Sequence, residues 1–295
     1  MKALVLAEHS DRAAGLAAGA RTLADETLVV AFGAQELPAN IADTVIRIDM
    51  PADAVLDDAA DTVISIVNDK SPDVVLVEPV RRMKSIAGKL AAHHKTSVIT
   101  DVFALNEGVA TSMYFGGVGI REQKAGGLAI YTLNPEVFGE LTPSGENKTE
   151  HAAWVQPAQP IRLISSKPKE KSEVNLAKAD CIVAAGRGFA QEEELGLAWA
   201  LCNKLDAGLA CSRPLTEGVN WLPTERYVGV SGLMLSPKTY VAVGISGQMQ
   251  HMVGCNRATT LFAINKDPNA PIFKQCDYGL VGDLKVILPA LIEAL

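Results

Sequence analysis

The chain has 295 residues, 48% of them apolar, and 34 acidic side chains against 27 Lys and Arg, for a formal net charge of −7. That length suits two domains with sizeable cores, and an acidic balance without clustered Lys and Arg argues against nucleic acid as the main partner. No apolar run nears the roughly 18 residues of a membrane span, and the short N-terminal run meets Glu8 and Asp11 too soon to be a signal sequence. The five cysteines (Cys181, Cys202, Cys211, Cys255 and Cys276) show no C-x-x-C spacing. A soluble, cytoplasmic protein with reduced thiols is expected.

The first half reads as alternating strands and helices. Residues 2–7 form a buried strand, 12–24 an alanine-rich helix, and 27–32 a second strand ending at Gly33. A short strand at 44–48 precedes a helix over 52–68, with apolar positions Val55, Ala59, Val63, Ile66 and Val67 near helical spacing. Residues 74–77 are a fourth strand, 86–93 a helix and 97–99 a fifth strand. Such alternation implies a parallel sheet. From Val109 to Leu133 the character changes, and 111–115 and 128–132 read as antiparallel strands around glycine turns. Phe115-Gly116-Gly117-Val118-Gly119 suits a hairpin turn better than a phosphate cradle, because strands rather than a helix flank it. His9 follows the first strand as a loop contact, and His93-His94 is a helix end with no further ligand at metal spacing.

Five prolines between Asn134 and Glu173 then punctuate the chain, and a linker belongs there. Edge strands at 153–155 and 161–164 are expected before it. The boundary falls between a first domain, 1–166, and a second, 167–295. The second opens on a buried strand, 180–185, that delivers Gly186-Arg187-Gly188, with Glu192-Glu193-Glu194 in the first turn of the next helix. The G-x-G-x-x-G fingerprint is absent. The strand 207–211 ends in Ser212-Arg213-Pro214, where Arg213 faces an anion or a polar cofactor edge, or else lies exposed at the surface.

The stretch from Thr239 to Asp283 holds the strongest signal. An apolar run, 240–243, stops at Gly244-Ile245-Ser246-Gly247 before Gln248-Met249-Gln250-His251-Met252, the strand-turn-helix pattern whose glycines and free amides hold a phosphate. A strand at 259–264 ends in Asn265-Lys266-Asp267-Pro268, and a third polar turn follows at Gly282-Asp283. Three strand ends offering Ser, His, Asn and Asp form one binding mouth. By itself His251 also suits a core position bonded to backbone, and Asp283 also suits an N-cap for a helix over 284–291. Cys255 and Cys276 have no adjacent base and read as packing residues.

These segments, together with Ala270-Pro271-Ile272-Phe273 and Tyr278-Gly279-Leu280-Val281, resemble the signature of electron transfer flavoprotein alpha subunits. Val98-Ile99-Thr100-Asp101-Val102 resembles that family's Ser-Asp-Val segment more loosely. The resemblance implies an α/β protein of two domains, each a largely parallel sheet with flanking helices, the C-terminal one a Rossmann-like, DHS-like FAD-binding domain. It implies that the N-terminal domain packs against a beta subunit, which carries AMP or a second FAD. The heterodimer would take electrons from an acyl-CoA-type dehydrogenase and pass them to a quinone reductase or similar acceptor.

Position by position, the resemblance implies that Arg187 and Ser212 approach the cofactor's polar backbone and that Arg213 lies against the isoalloxazine. Ser231 would meet flavin N5 where the family has a threonine, beside Val230. Ser246 and the turn amides from Gly244 to Gly247 would hold the pyrophosphate, with Gln250 alongside, His251 would face the ring near O2, and Asn265 and Asp283 would hold the AMP half. Arg213, Ser231 and His251 would tune the redox potential, His251 as a cation or as a neutral donor. Many relatives read Gln-Thr-Gly-Lys where this chain has Val230-Ser231-Gly232-Leu233, which looks like a bacterial branch associated with carnitine or fatty-acid metabolism. No general base or nucleophile is arrayed, as suits an electron carrier rather than a substrate-transforming enzyme. The alternative is a nucleotide-binding enzyme or interaction protein of the same fold without flavin chemistry.

Overall fold

A computed structural model describes residues 1–115, 119–166 and 175–295. These fall into two compact units, residues 1–114 with 119–166 and residues 175–295. The Gly116 to Val118 part of the expected hairpin turn lies outside the described residues.

In the first unit β1 (Lys2–Leu6), β2 (Glu26–Phe32), β3 (Thr44–Asp49), β4 (Val74–Val77), β5 (Val98–Asn106), β6 (Val109–Tyr114), β7 (Gly119–Lys124), β8 (Ala129–Leu133) and β9 (Lys148–Ala153) form one sheet, in the order β7-β6-β5-β8-β4-β1-β2-β3-β9. Alternate residues of β1 serve opposite faces. Leu4 and Leu6 pack under α2 (Ala60–Lys70) and α3 (Arg81–His93) through Val63, Ile66, Met83 and Leu90, whereas Ala3 and Val5 pack under α1 (Ser10–Ala20) through Ala13, Leu16 and Ala17. A parallel sheet covered on both faces yields the continuous apolar runs seen in the sequence.

The structure corrects several expectations in this unit. β8 is no antiparallel hairpin strand but an interior one, parallel to both β4 and β5. Its last four residues are buried, which is what an interior position demands of such a run. β6 is antiparallel, and its second partner is β7, which the expected elements missed because Ile120, Glu122 and Lys124 leave this edge strand without an apolar face. β5 runs well beyond residue 99 through a register shift at Asp101, whose φ is 54°. The helix expected from 52 begins only with a short 3-10 turn at Leu56–Ala59. The expected edge strand at 153–155 lies largely upstream as β9, and residues 161–164 form no strand and leave Leu163 and Ile164 exposed.

The second unit is a five-stranded parallel sheet, β11 (Gly208–Cys211), β10 (Cys181–Ala185), β12 (Thr239–Val243), β13 (Thr260–Asn265) and β14 (Tyr278–Val281) in that spatial order. Val183, Val241 and Val243 pack against α4 (Leu195–Leu205) and α7 (Leu284–Ala294) on one face. Ile182, Tyr240 and Ala242 pack against Met252 and Ile272 on the other. Because β11 and β12 flank β10, successive connections leave in opposite directions and open a crevice at the strands' C-terminal ends.

Candidate functional site

Every strand of the second sheet delivers a polar loop to that crevice. Arg187 follows β10, Ser212 and Arg213 follow β11, Ser246 follows β12, Asn265 ends β13 with Lys266 next to it, and Asp283 follows β14. Together they line a cleft of about 940 Å3, at the upper end of the roughly 300–1,000 Å3 of ligand pockets. The first sheet has a smaller crevice at the ends of β1 and β4, but its amides are taken: the buried Glu78 carboxylate accepts from the N–H groups of Glu8 (2.8 Å) and His9 (3.1 Å) and pairs with His9 Nδ1 at 2.7 Å. The chain's own carboxylate thus holds the place of an anion there.

The loop after β12 is built the other way. Asn265 Nδ2 donates to the Ile245 carbonyl (2.8 Å), the Ile272 N–H to the Ser246 carbonyl (3.0 Å) and Gln275 Nε2 to the Gly247 carbonyl (3.1 Å). Three successive carbonyls are therefore tied to the protein, while the N–H groups of residues 245–250 have no hydrogen-bond acceptor among the described residues. A row of unpaired amides is an anion-binding concavity. The backbone dominates here, because α6 (Met249–Met252) is a single turn with little macrodipole.

The glycines serve packing more than ligand approach. A Cβ on Gly244 would stand 2.7 Å from Gly188 Cα, and one on Gly247 would stand 2.4 Å from the Ile272 backbone. Both residues have positive φ, 65° and 84°, so only glycine fits without strain. The Gly244 N–H donates to the Ile264 carbonyl (2.8 Å) and is not available to a ligand.

Charge is distributed unevenly. Arg187 and Lys266 have no hydrogen-bond or ion-pair partner among the described residues. Arg213 Nε instead donates to Glu217 Oε2 at 2.6 Å, and that contact raises the guanidinium's pKa. Lys285 pairs with Glu194 at 2.6 Å, which raises the lysine and lowers the carboxylate. Asp283 caps α7 through Oδ1, which accepts from the Lys285 N–H at 2.9 Å. Capping and lining the cleft are compatible, because one carboxylate has room for several donors.

His251 is buried beneath the cleft, 7% exposed, with Nε2 3.0 Å from the Tyr240 hydroxyl and Nδ1 buried without a partner. Burial lowers its pKa to about 4 against the opposing pull of the Val228 carbonyl. Of the two forms open from sequence, burial favours the neutral imidazole. Cys202, Cys211 and Cys255 are pushed up to about 12 by burial and are inert packing groups.

Of the residues singled out from sequence, Arg187, Ser212, Arg213, Val230, Gly244, Ser246, Gln250, His251, Asn265 and Asp283 line the cleft. Ser231 and Gly247 do not. Ser231 Oγ lies 3.3 Å from the Tyr227 hydroxyl, and it is Tyr227 that lines the cleft. Glu217, Lys266 and Lys285 were missed. Glu217 carried a legible signal, its i, i+4 spacing from Arg213, and Lys266 adjoins Asn265.

A cleft at the switch point of a parallel sheet, with a row of free amides and two unpaired cations, has the size and chemistry to take a phosphate-bearing ligand of dinucleotide size. Residues 175–256 match the family described as "Electron transfer flavoprotein FAD-binding domain", and residues 3–159 match "Electron transfer flavoprotein domain". Over 253 residues the chain is 42% identical to "Protein FixB" of Escherichia coli O139:H28 (strain E24377A / ETEC) and to "Protein FixB" of Shigella dysenteriae serotype 1 (strain Sd197). Each match covers 83% of this chain and 81% of the relative. A solved structure of Acinetobacter baumannii MurG is 10% identical, covering 93% of this chain and 80% of that one, with a TM-score of 0.29 too low to bear on fold or function. The chain belongs to the electron transfer flavoprotein family as an alpha subunit.

Proposed function

We propose that the chain binds FAD in this cleft and, as a heterodimer with a beta subunit, carries electrons from an acyl-CoA-type dehydrogenase to an acceptor of the quinone-reductase type. The observation that carries this reading is the loop after β12, where three tied carbonyls leave six consecutive amides for a diphosphate. Arg187 and Lys266 supply the balancing charge, and Ser246 adds a hydroxyl at the same turn. Asn265 keeps the loop in shape through Ile245, and Asp283 retains acceptor capacity for ribose hydroxyls beside its capping role. His251, neutral, supplies polarity without charge, and Arg213 supplies the fixed cation. When bound, FAD supplies reversible one-electron and two-electron transfer at its isoalloxazine. The protein needs no general base for that task, only binding, orientation and electrostatics.

The finer parts of the reading rest on the family resemblance. The N-terminal domain, 1–166, packs on the beta subunit, which carries AMP or a second FAD, and residues 167–295 form the FAD domain. The Val230-Ser231 variation points to the bacterial branch associated with carnitine or fatty-acid metabolism, working in the cytoplasm. The test is co-expression with the beta partner, cofactor extraction and a count of flavins per heterodimer. At least one flavin is expected, with Arg213→Ala lowering its midpoint potential. A colourless complex that binds only AMP or ATP would instead establish a nucleotide-binding protein without flavin chemistry.

A further inference from the structure

Arg213 is the cation that the family resemblance sets against the redox ring, yet in this fold it does not stand alone. The chain turns at once into α5 (Pro214–Glu217), with Pro214 at its first position and Arg213 itself already helical (φ −47°, ψ −43°). The Glu217 N–H closes the turn on the Arg213 carbonyl at 3.0 Å, and a Cβ on the following Gly218 would stand 2.7 Å from the Pro214 carbonyl oxygen. The turn is therefore tightly determined, and it sets Glu217 one helical turn from Arg213, on the same side. Glu217 Oε2 takes the Arg213 Nε–H at 2.6 Å, while neither terminal nitrogen of Arg213 has a partner among the described residues. Both side chains line the cleft.

We propose that Glu217 is a positioning residue for Arg213: by holding Nε it leaves the two terminal nitrogens for the ligand and partly neutralises the charge that the ligand meets. A guanidinium gripped at Nε presents its outer edge, with four remaining N–H bonds, in one orientation. The proposal rests on flavin occupying the cleft, since its consequence is a redox one. Each electron added to the ring is favoured by positive charge and opposed by negative charge nearby. Glu217 therefore holds the potential below the value an unpaired Arg213 would set.

The test is potentiometric titration of the heterodimer for wild type, Glu217→Gln, Arg213→Gln and the double variant, with bound flavin counted first. Glu217→Gln keeps an acceptor for Nε–H and removes the charge. It is expected to favour the reduced ring about tenfold, a rise of about 59 mV in a one-electron midpoint. In the Arg213→Gln background the same change should shift the potential by much less. A wild-type potential in Glu217→Gln would overturn the proposal, and so would an equal shift in both backgrounds, which would mark Glu217 as an independent charge. A wild-type heterodimer without flavin overturns this inference and the functional reading together; a flavin-loaded one with an unresponsive potential overturns the inference alone. Glu217 is 47% exposed at its side chain, so loss of fold is not expected. Should the Gln variant lose flavin, Glu217→Asp, which keeps the charge on a shorter arm, must restore binding with a potential below that of Glu217→Ala, or the proposal fails.

Discussion

At His251 burial acts against the charged form, and no carboxylate or other anion among the described residues compensates for it. The consequence is a pH-dependent contribution to stability whose sign follows from the direction of the shift. The folded-state pKa of about 4 lies below the unfolded value of about 6.5, so between those two the unfolded chain binds the extra proton. Stability from this residue is complete above the unfolded pKa and is lost as pH falls toward the folded one, by on the order of 3 kcal/mol in all. Urea midpoints measured from pH 7 down to 4.5 should fall accordingly. His251→Gln should be less stable at pH 7 but show a shallower slope in that window; an unchanged slope would assign the acid sensitivity to other groups. The residue type and its neighbourhood were legible in sequence, whereas its charge state was not. That depends on how completely the sheet face is covered and on the Val228 carbonyl, which a strand-by-strand reading does not place beside the ring. Ser231 illustrates the same limit, because its hydroxyl turns to Tyr227 and only the fold places Tyr227 along the cleft.

Among the elements, α7 and the loop after β12 separate two functions that a single residue can hold. Asp283 both caps α7 and lines the cleft. Asp283→Asn keeps a capping oxygen and should leave the melting temperature near wild type while weakening cofactor binding. Asp283→Ala loses the cap as well, at about 1 kcal/mol. Equal melting temperatures for Ala and wild type would contradict the capping role. Gly244→Ala places a methyl 2.7 Å from the Gly188 backbone at a φ of 65°. A loss of at least about 2 kcal/mol in chemical denaturation is expected, together with displaced loops and poorer flavin retention. Strand positions were readable wherever apolar runs were long and bounded by glycines, as in β1, β10 and β12. β7 and β8 depart from the expected elements for opposite reasons. The polar alternation of β7 hides an edge strand, and the apolar run of β8 does not say which neighbours it pairs with or in which direction.

At the scale of the molecule each unit carries its own pair of cores on the two faces of its own sheet. All residues lining the cleft come from the second unit. A fragment of residues 175–295 is therefore expected to fold by itself and to unfold in one cooperative transition by circular dichroism; a fragment without near-ultraviolet signal or cooperative melting would show that it depends on the rest of the chain. Among the described residues no helix is long and apolar enough to cross a membrane.

The sequence by itself determined the α/β alternation and the flavoprotein family, because buried parallel strands demand continuous apolar runs and because a tight turn, a strand end and a cap each restrict the residue types they accept. It also marked the stretch from Thr239 to Asp283, whose strand ends line the mouth of the cleft. Only the tertiary structure decided which amides and cations in that mouth are free. A donor is free when nothing else has taken it, and the groups that tie the loop carbonyls, pair with Arg213 and neutralise His251 reach their places only through folding.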